Sequence, residues 1–131
     1  MADITVTRTL TSAELLAMGE TYPEIVAGVS GKYLWLQTAF AIYRAGSTPY
    51  TTAGGNITIG TQSGSISVLS ADDALLGGAE DQILQFNQIA TGGNTVASEA
   101  GVSLVAYNFG PYLADGDGTV ELTITYREMP V

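Results

Sequence analysis

Thr119-Val120-Glu121-Leu122-Thr123-Ile124-Thr125-Tyr126-Arg127 places Val, Leu, Ile and Tyr at the even positions and Thr, Glu, Thr, Thr and Arg at the odd ones. A strand points successive side chains to opposite faces, so this alternation marks a half-buried strand with one face on a core and the other in water. A second apolar segment, Val102 to Phe109, precedes it. Between the two runs Gly110-Pro111-Tyr112-Leu113-Ala114-Asp115-Gly116-Asp117-Gly118, which has the composition of a turn. The end of the chain is therefore a pair of strands around a loop.

The same signals recur upstream. Asp3 to Leu10 alternates Ile4 and Val6 with threonines and reads as a first strand. Thr11-Ser12-Ala13-Glu14 fits a capping box, in which the Thr11 hydroxyl accepts from the Glu14 amide, and Gly19 is expected to supply a left-handed stop after two turns of helix. Pro23 opens a short strand through Val26, and a turn spans Val29 to Lys32. Tyr33 to Tyr43 is the longest apolar run. It is expected to be a central, largely buried strand, with a helix as the alternative for that length.

Ala45 to Gly55 has loop chemistry. Asn56 to Gly60 and Ser65 to Leu69 read as two short strands joined near Gln62-Ser63-Gly64, and Ser70 to Leu76 as one helical turn capped by Ser70. Gln82 to Ile89 is the next strand, followed by the loop Thr91 to Asn94. About eight short strands at nearly even spacing, sixteen glycines and one short N-terminal helix place the chain in the all-β class. The leading architecture is a jelly-roll-like antiparallel β-sandwich, with residues 1–131 as a single domain. At 131 residues, folding would bury roughly two-thirds of the unfolded chain's surface, enough for a true core.

Composition narrows the chemistry. The chain has no cysteine, so disulfides, thiolate metal sites and a cysteine nucleophile are closed to it, and no histidine, the commonest general base and zinc ligand. Four scattered cations (Arg8, Lys32, Arg44, Arg127) face thirteen carboxylates, for a net charge of −9. Nucleic acid is not an expected partner, because phosphate binding needs a basic stripe that releases counterions. No segment approaches the roughly eighteen apolar residues of a membrane span, and Met1 to Thr7 lacks the basic head and apolar run of a signal peptide. Synthesis and retention in a cytoplasm are expected, with no membrane contact.

Several features invite a functional reading and also have a plain one. Asp115-Gly116-Asp117-Gly118 resembles part of a cation loop, but reading Asp115 as position one puts Val120 where the calcium loop needs Gly and Tyr126 where it needs Glu. It is expected to be a solvated turn whose Asp side chains bond to their own backbone. Asp72-Asp73 and Glu80-Asp81 could be imagined as the acid pair of a glycoside hydrolase, yet adjacent carboxylates point in different directions and nothing in the spacing specifies catalysis. Trp35 and the tyrosines could stack on sugars, although several occupy core-facing strand positions. Tyr50 and Tyr112 fall in loops, where an aromatic ring is an interface candidate. Asn56-Ile57-Thr58 spells a glycosylation sequon, read as chance in a chain expected to stay in the cytoplasm.

In their order along the chain, these segments resemble the small capsid decoration, or cement, proteins of tailed bacteriophages. The similarity is carried by Thr9 to Ala17, Pro23-Glu24-Ile25-Val26, the Gly31-Lys32 entry into a long apolar strand, Gly46-Ser47-Thr48-Pro49-Tyr50, and Asp115 to Val120 before a final strand ending Tyr126-Arg127. Gly77 to Ala100 does not align. The resemblance implies a jelly-roll-like virion protein on the outer surface of the head. It would bind the major capsid protein, bridge capsomers, form a dimer or trimer with its own copies, and require neither cofactor nor catalytic residue.

The expected contact elements are the N-terminal strand, where Ile4 and Val6 could add to a neighbouring sheet edge, and the loop residues Thr48, Pro49, Tyr50 and Tyr112. From a different class comes the alternative of a carbohydrate-binding β-sandwich, a tail or fibre domain recognising a host glycan. A carboxylate-dependent hydrolase is a third, weaker alternative.

Overall fold

A computed structural model describes residues 2–51, 55–61, 67–88, 100–109 and 113–131. Its strands are β1 (Ile4–Leu10), β2 (Glu24–Val26), β3 (Lys32–Arg44), β4 (Asn56–Thr61), β5 (Ser67–Asp72), β6 (Gln82–Gln85), β7 (Asn87–Gln88), β8 (Leu104–Phe109) and β9 (Thr119–Pro130). One helix, α1 (Ser12–Ala17), follows β1, and a 3-10 turn, Asp73–Gly77, follows β5.

Two antiparallel sheets form the sandwich, in the orders β1-β9-β3-β6 and β2-β8-β4-β5-β7. The wiring is that of a long ribbon folded on itself. The pairs β4·β5, β3·β6, β2·β8 and β1·β9 are nested one outside the next. Rolling that ribbon brings β9 against β3 and β8 against β4, which closes two sheets in jelly-roll order. The terminal strands β8 and β9 consequently lie in different sheets, and the connector between them crosses from one to the other.

Alternation in β9 places Val120, Leu122, Ile124 and Tyr126 in the core, with Val120, Leu122 and Ile124 fully buried. Each such aliphatic side chain contributes about 1.5–3 kcal/mol relative to exposure. Opposite them on β3, Ala39 meets Ile124, Ala41 meets Leu122 and Tyr43 meets Val120.

β3 is not buried on both faces as its apolar run suggested. A register shift between Leu36 and Thr38 changes its phase, so Leu34 and Leu36 point inward before it and Ala39, Ala41 and Tyr43 after it. A bulge of one residue exchanges the two faces of everything beyond it. Phe40 and Ile42, apolar by composition, are thereby turned outward.

Three local expectations also change. The capping box of α1 forms as read, with Glu14 N–H donating to Thr11 Oγ1 (3.3 Å) and Thr11 N–H to Glu14 Oε1 (3.1 Å), and Arg8 adds an ion pair to Glu14 at 2.6 Å. Gly19 does not stop the helix, however. Its C-cap is Met18 in right-handed conformation, fully buried, and the Glu20 and Thr21 amides both donate to Ala17 O (2.9 and 2.8 Å).

Ser70 is not a cap either, because it pairs with Thr58 within β5. Asp72 takes that role, accepting from Ala74 N–H at 2.8 Å. The segment from Gln82 breaks at Phe86, which is buried between the sheets: β6 stays with β3, while β7 crosses to pair with β5. Gln62 to Ile66 and Ile89 to Asn94 lie outside the described residues.

Candidate functional site

β3 ends at Arg44 directly opposite Thr119, where β9 begins, so the residues leaving one strand run beside those entering the other. This brings Gly46–Thr51 and Leu113–Gly118 together at one end of the sandwich. Asp117 joins them. Its carboxylate accepts from Thr48 N–H (2.8 Å) and from the Ser47 hydroxyl, while its own N–H donates to Thr48 O (3.2 Å). Thr51 and Ala114 exchange backbone hydrogen bonds at 2.7 and 3.2 Å.

Tyr50 is the second clasp. Its N–H donates to Leu76 O (3.0 Å), its hydroxyl donates to Gly118 O (2.6 Å), and its ring lies so close to Gly116 that any Cβ there would enter the ring. Asp115 sits at φ 66°, a conformation that aspartate tolerates better than most residues, and accepts from the Thr51 hydroxyl (3.3 Å). The Asp-Gly-Asp-Gly segment is thus more than a self-bonded turn: it holds down the loop after β3. Among the described residues, no three acidic side chains converge as a metal site would need.

Hydrogen bonds from the Ser47 hydroxyl, then from the Thr48 amide, hold the Asp117 carboxyl below its ordinary value of 3.8. A depressed carboxyl stabilises the fold fully above its unfolded value, and that contribution is lost as pH falls through the lower, folded value. The Thr48 amide proton is therefore expected to lose its hydrogen-bonded chemical shift on acidification below 3.8, and Asp117→Asn to flatten this titration. An unchanged titration in the variant would show that another group clamps the loop.

Placement of the expected contact residues is mixed. Thr48 and Pro49 are exposed at the tip of the clamped loop. Tyr50 is not a surface aromatic: at 3% exposure it belongs to the core, because the loop that carries it folds back over Leu76 and Gly116. Ile4 and Val6 face inward, half-buried against the core, so what β1 offers a neighbour is its backbone edge, which no other strand among the described residues pairs. Tyr112 lies outside the described residues.

Of the other aromatics, Tyr43, Tyr107 and Tyr126 are buried, and Trp35 lies under the Arg127 guanidinium at 5.6 Å. The acidic pairs have structural duties as well, since Asp81 accepts from Ala45 N–H (2.9 Å) and pairs with Arg44 (3.3 Å).

No protein-family model matches this chain, and no curated protein matches it. The outer face of the β1-β9-β3-β6 sheet begins with threonines, where Thr5 meets Thr125 and Thr7 meets Thr123 through hydroxyl pairs at 3.0 Å. Toward β6 it becomes apolar: Phe40 is 46% exposed and Ile83 69%, with half-buried Ile42 directly opposite Ile83.

Arg44, bridging Asp81 and Glu121, borders this patch. Sequence reasoning missed Phe40, Ile42 and Ile83 as surface residues. The signal for the first two was the phase slip at Gln37, which a continuous apolar run conceals.

Proposed function

We propose that this protein is a structural component of a tailed-phage head, a decoration protein that binds the outer surface of the major capsid protein shell and bridges its capsomers. The ordered resemblance of its segments to that family is the starting point. The observation that carries the reading furthest is the clamped end of the sandwich. Two of the resembling blocks, Gly46–Tyr50 and Asp115–Val120, are hydrogen-bonded to each other there, leaving Thr48 and Pro49 exposed on a loop that is already ordered. Docking a preorganised loop spares the entropy of fixing it, and many copies on one shell turn modest contacts into large total stabilisation.

Surface charge supports the same role. The three arginines are tied to Glu14, to Asp81 and Glu121, and to Asp3, so the acidic excess is what meets an approaching basic surface. Such a role needs no catalytic centre. The glycan-binding alternative would have to do without the Tyr50 ring, which is committed to the core.

The test is copurification with intact heads in icosahedral copy number, followed by heating of heads with and without the protein. Rupture of bare heads at lower temperature is expected. Equal rupture temperatures would remove the reinforcing role, and selective retention on a glycan array would replace it.

A further inference from the structure

We propose that the open edge of β6 is a self-association site, where a second copy of the chain adds its own β6 antiparallel across a twofold axis and the two four-stranded sheets become one. The proposal gives a place to the self-association that the family resemblance implies and rests on the decoration role for its purpose, while the geometry and the test concern the isolated protein.

Among the described residues, four strands end the two sheets: β1, β6, β2 and β7. Sheet edges expose unpaired backbone groups and are ordinarily blunted by charge, proline, bulges or brevity. β1 carries Arg8; β2 follows Pro23, begins with Glu24 and has a register shift; β7 is two residues long. β6, Gln82-Ile83-Leu84-Gln85, has no charge, no proline and no bulge, and it exposes Ile83 to 69%.

The backbone faces the right way. Phe86 N–H donates to Ala39 O, so residues 86, 84 and 82 direct their hydrogen-bonding groups toward β3. By antiparallel alternation, Ile83 and Gln85 then direct N–H and C=O away from it, to the open edge.

A second copy fits this edge by register. Opposed residues share a face, so a twofold axis through Ile83 sets Ile83 against its own mate, exchanging two backbone hydrogen bonds, and sets Gln85 against Asp81. The outer face then carries an unbroken row of Ile42, Ile83 and their two mates. Each Asp81 carboxylate meets a neutral amide donor rather than a like charge, and it remains beside its own Arg44.

The net charge of −9 per chain opposes the approach, so association is expected to tighten as salt screens it. A basic foreign strand on the same edge would show the reverse.

The decisive measurement is the mass of the isolated protein by sedimentation at increasing concentration, at about 0.05 M and about 0.5 M salt. A monomer–dimer equilibrium strengthened by salt is expected. Ile83→Lys should weaken the dimer by about a hundredfold or more, because it removes two isoleucines from the seam and places like charges directly opposite each other, and at dilutions where both proteins are monomeric it should leave the unfolding temperature unchanged.

In a chain without native cysteine, Ile83→Cys should oxidise to a disulfide dimer, since hydrogen-bonded antiparallel partners stand about 5.5 Å apart at Cα, while Phe40→Cys should not. A wild-type protein that stays monomeric throughout, a dimer indifferent to Ile83→Lys, or a dimer dispersed by salt would each overturn the proposal. None of these results bears on head binding, which has its own test.

Discussion

Tyr50→Ala is expected to destabilise the protein by about 3–5 kcal/mol, the range for truncating a buried aromatic side chain. The ring is 3% exposed, and it packs against Gly116 and beside Tyr43, whose ring centroid is 6.3 Å away. The melting temperature should fall by on the order of 10 °C or more. Tyr50→Phe keeps the ring and loses only the hydroxyl bond to Gly118 O, at a cost of about 1–3 kcal/mol for the carbonyl left buried.

Tyr43 supplies the control. Its hydroxyl is buried without a hydrogen-bond partner among the described residues, so Tyr43→Phe should be neutral or stabilising. A Tyr43→Phe protein less stable than Tyr50→Phe would reverse the assignment of which hydroxyl is anchored.

Alkali provides a second readout of the same clasp. Burial, then the proximity of Tyr43 and Asp117, pushes the Tyr50 phenol up to about 12 from its ordinary 10.0. A group raised in the folded state stabilises it fully below the unfolded value, and that contribution is lost as pH rises through the folded one. Stability should therefore decline between pH 10.0 and about 12, and Tyr50→Phe should reduce the decline without abolishing it, because burial also raises Tyr43 and Tyr126.

Gly28→Ala is expected to cost about 2–3 kcal/mol or more by forced separation of backbone from backbone. A Cβ on Gly28 would enter the Gly101 carbonyl and stand 2.9 Å from the Val102 carbonyl carbon. No side chain can rotate out of the way. The same displacement would break the bond from Gly28 N–H to Ser103 Oγ (2.9 Å), and with it the link from Ser103 to Glu24 (2.9 Å). Urea unfolding should show a lower midpoint at an unchanged slope. A midpoint within error of the parent would mean that the two segments are not in contact.

β9 was legible from Thr119 to Arg127, though not over its last residues to Pro130, because a strand with one dry face writes its period directly into the chain, and Val120 to Tyr126 obey it without exception. α1 was legible at its start, where Thr11 and Glu14 form local bonds, and not at its end, which is decided by burial of Met18. β3 hid its phase change because Phe40 and Ile42 are as apolar as the residues they replace on the inner face. Gln82 to Gln88 looked continuous because nothing local announces that Phe86 is drawn between the sheets.

The surface was harder to read. Tyr50 has the sequence context of a loop aromatic, and only its long-range neighbours, Leu76, Gly116 and Gly118, make it a core residue. Asp117 bonds to residues about seventy positions away, which no local pattern encodes.

The nested order of the ribbon also sets how this molecule bears load. Ile4 is paired with Tyr126 at the same end of the sheet, so tension applied between the start of β1 and the end of β9 peels that outermost ladder open one rung at a time, like a zipper. Tension entering through the clamped Thr48–Pro49 tip must instead pull on Asp117 and Tyr50 together. Wired in this way, the protein is expected to resist tension better at the clamped pole than at the other, and on the role proposed above a shell that strains as it fills would do best to grip it there.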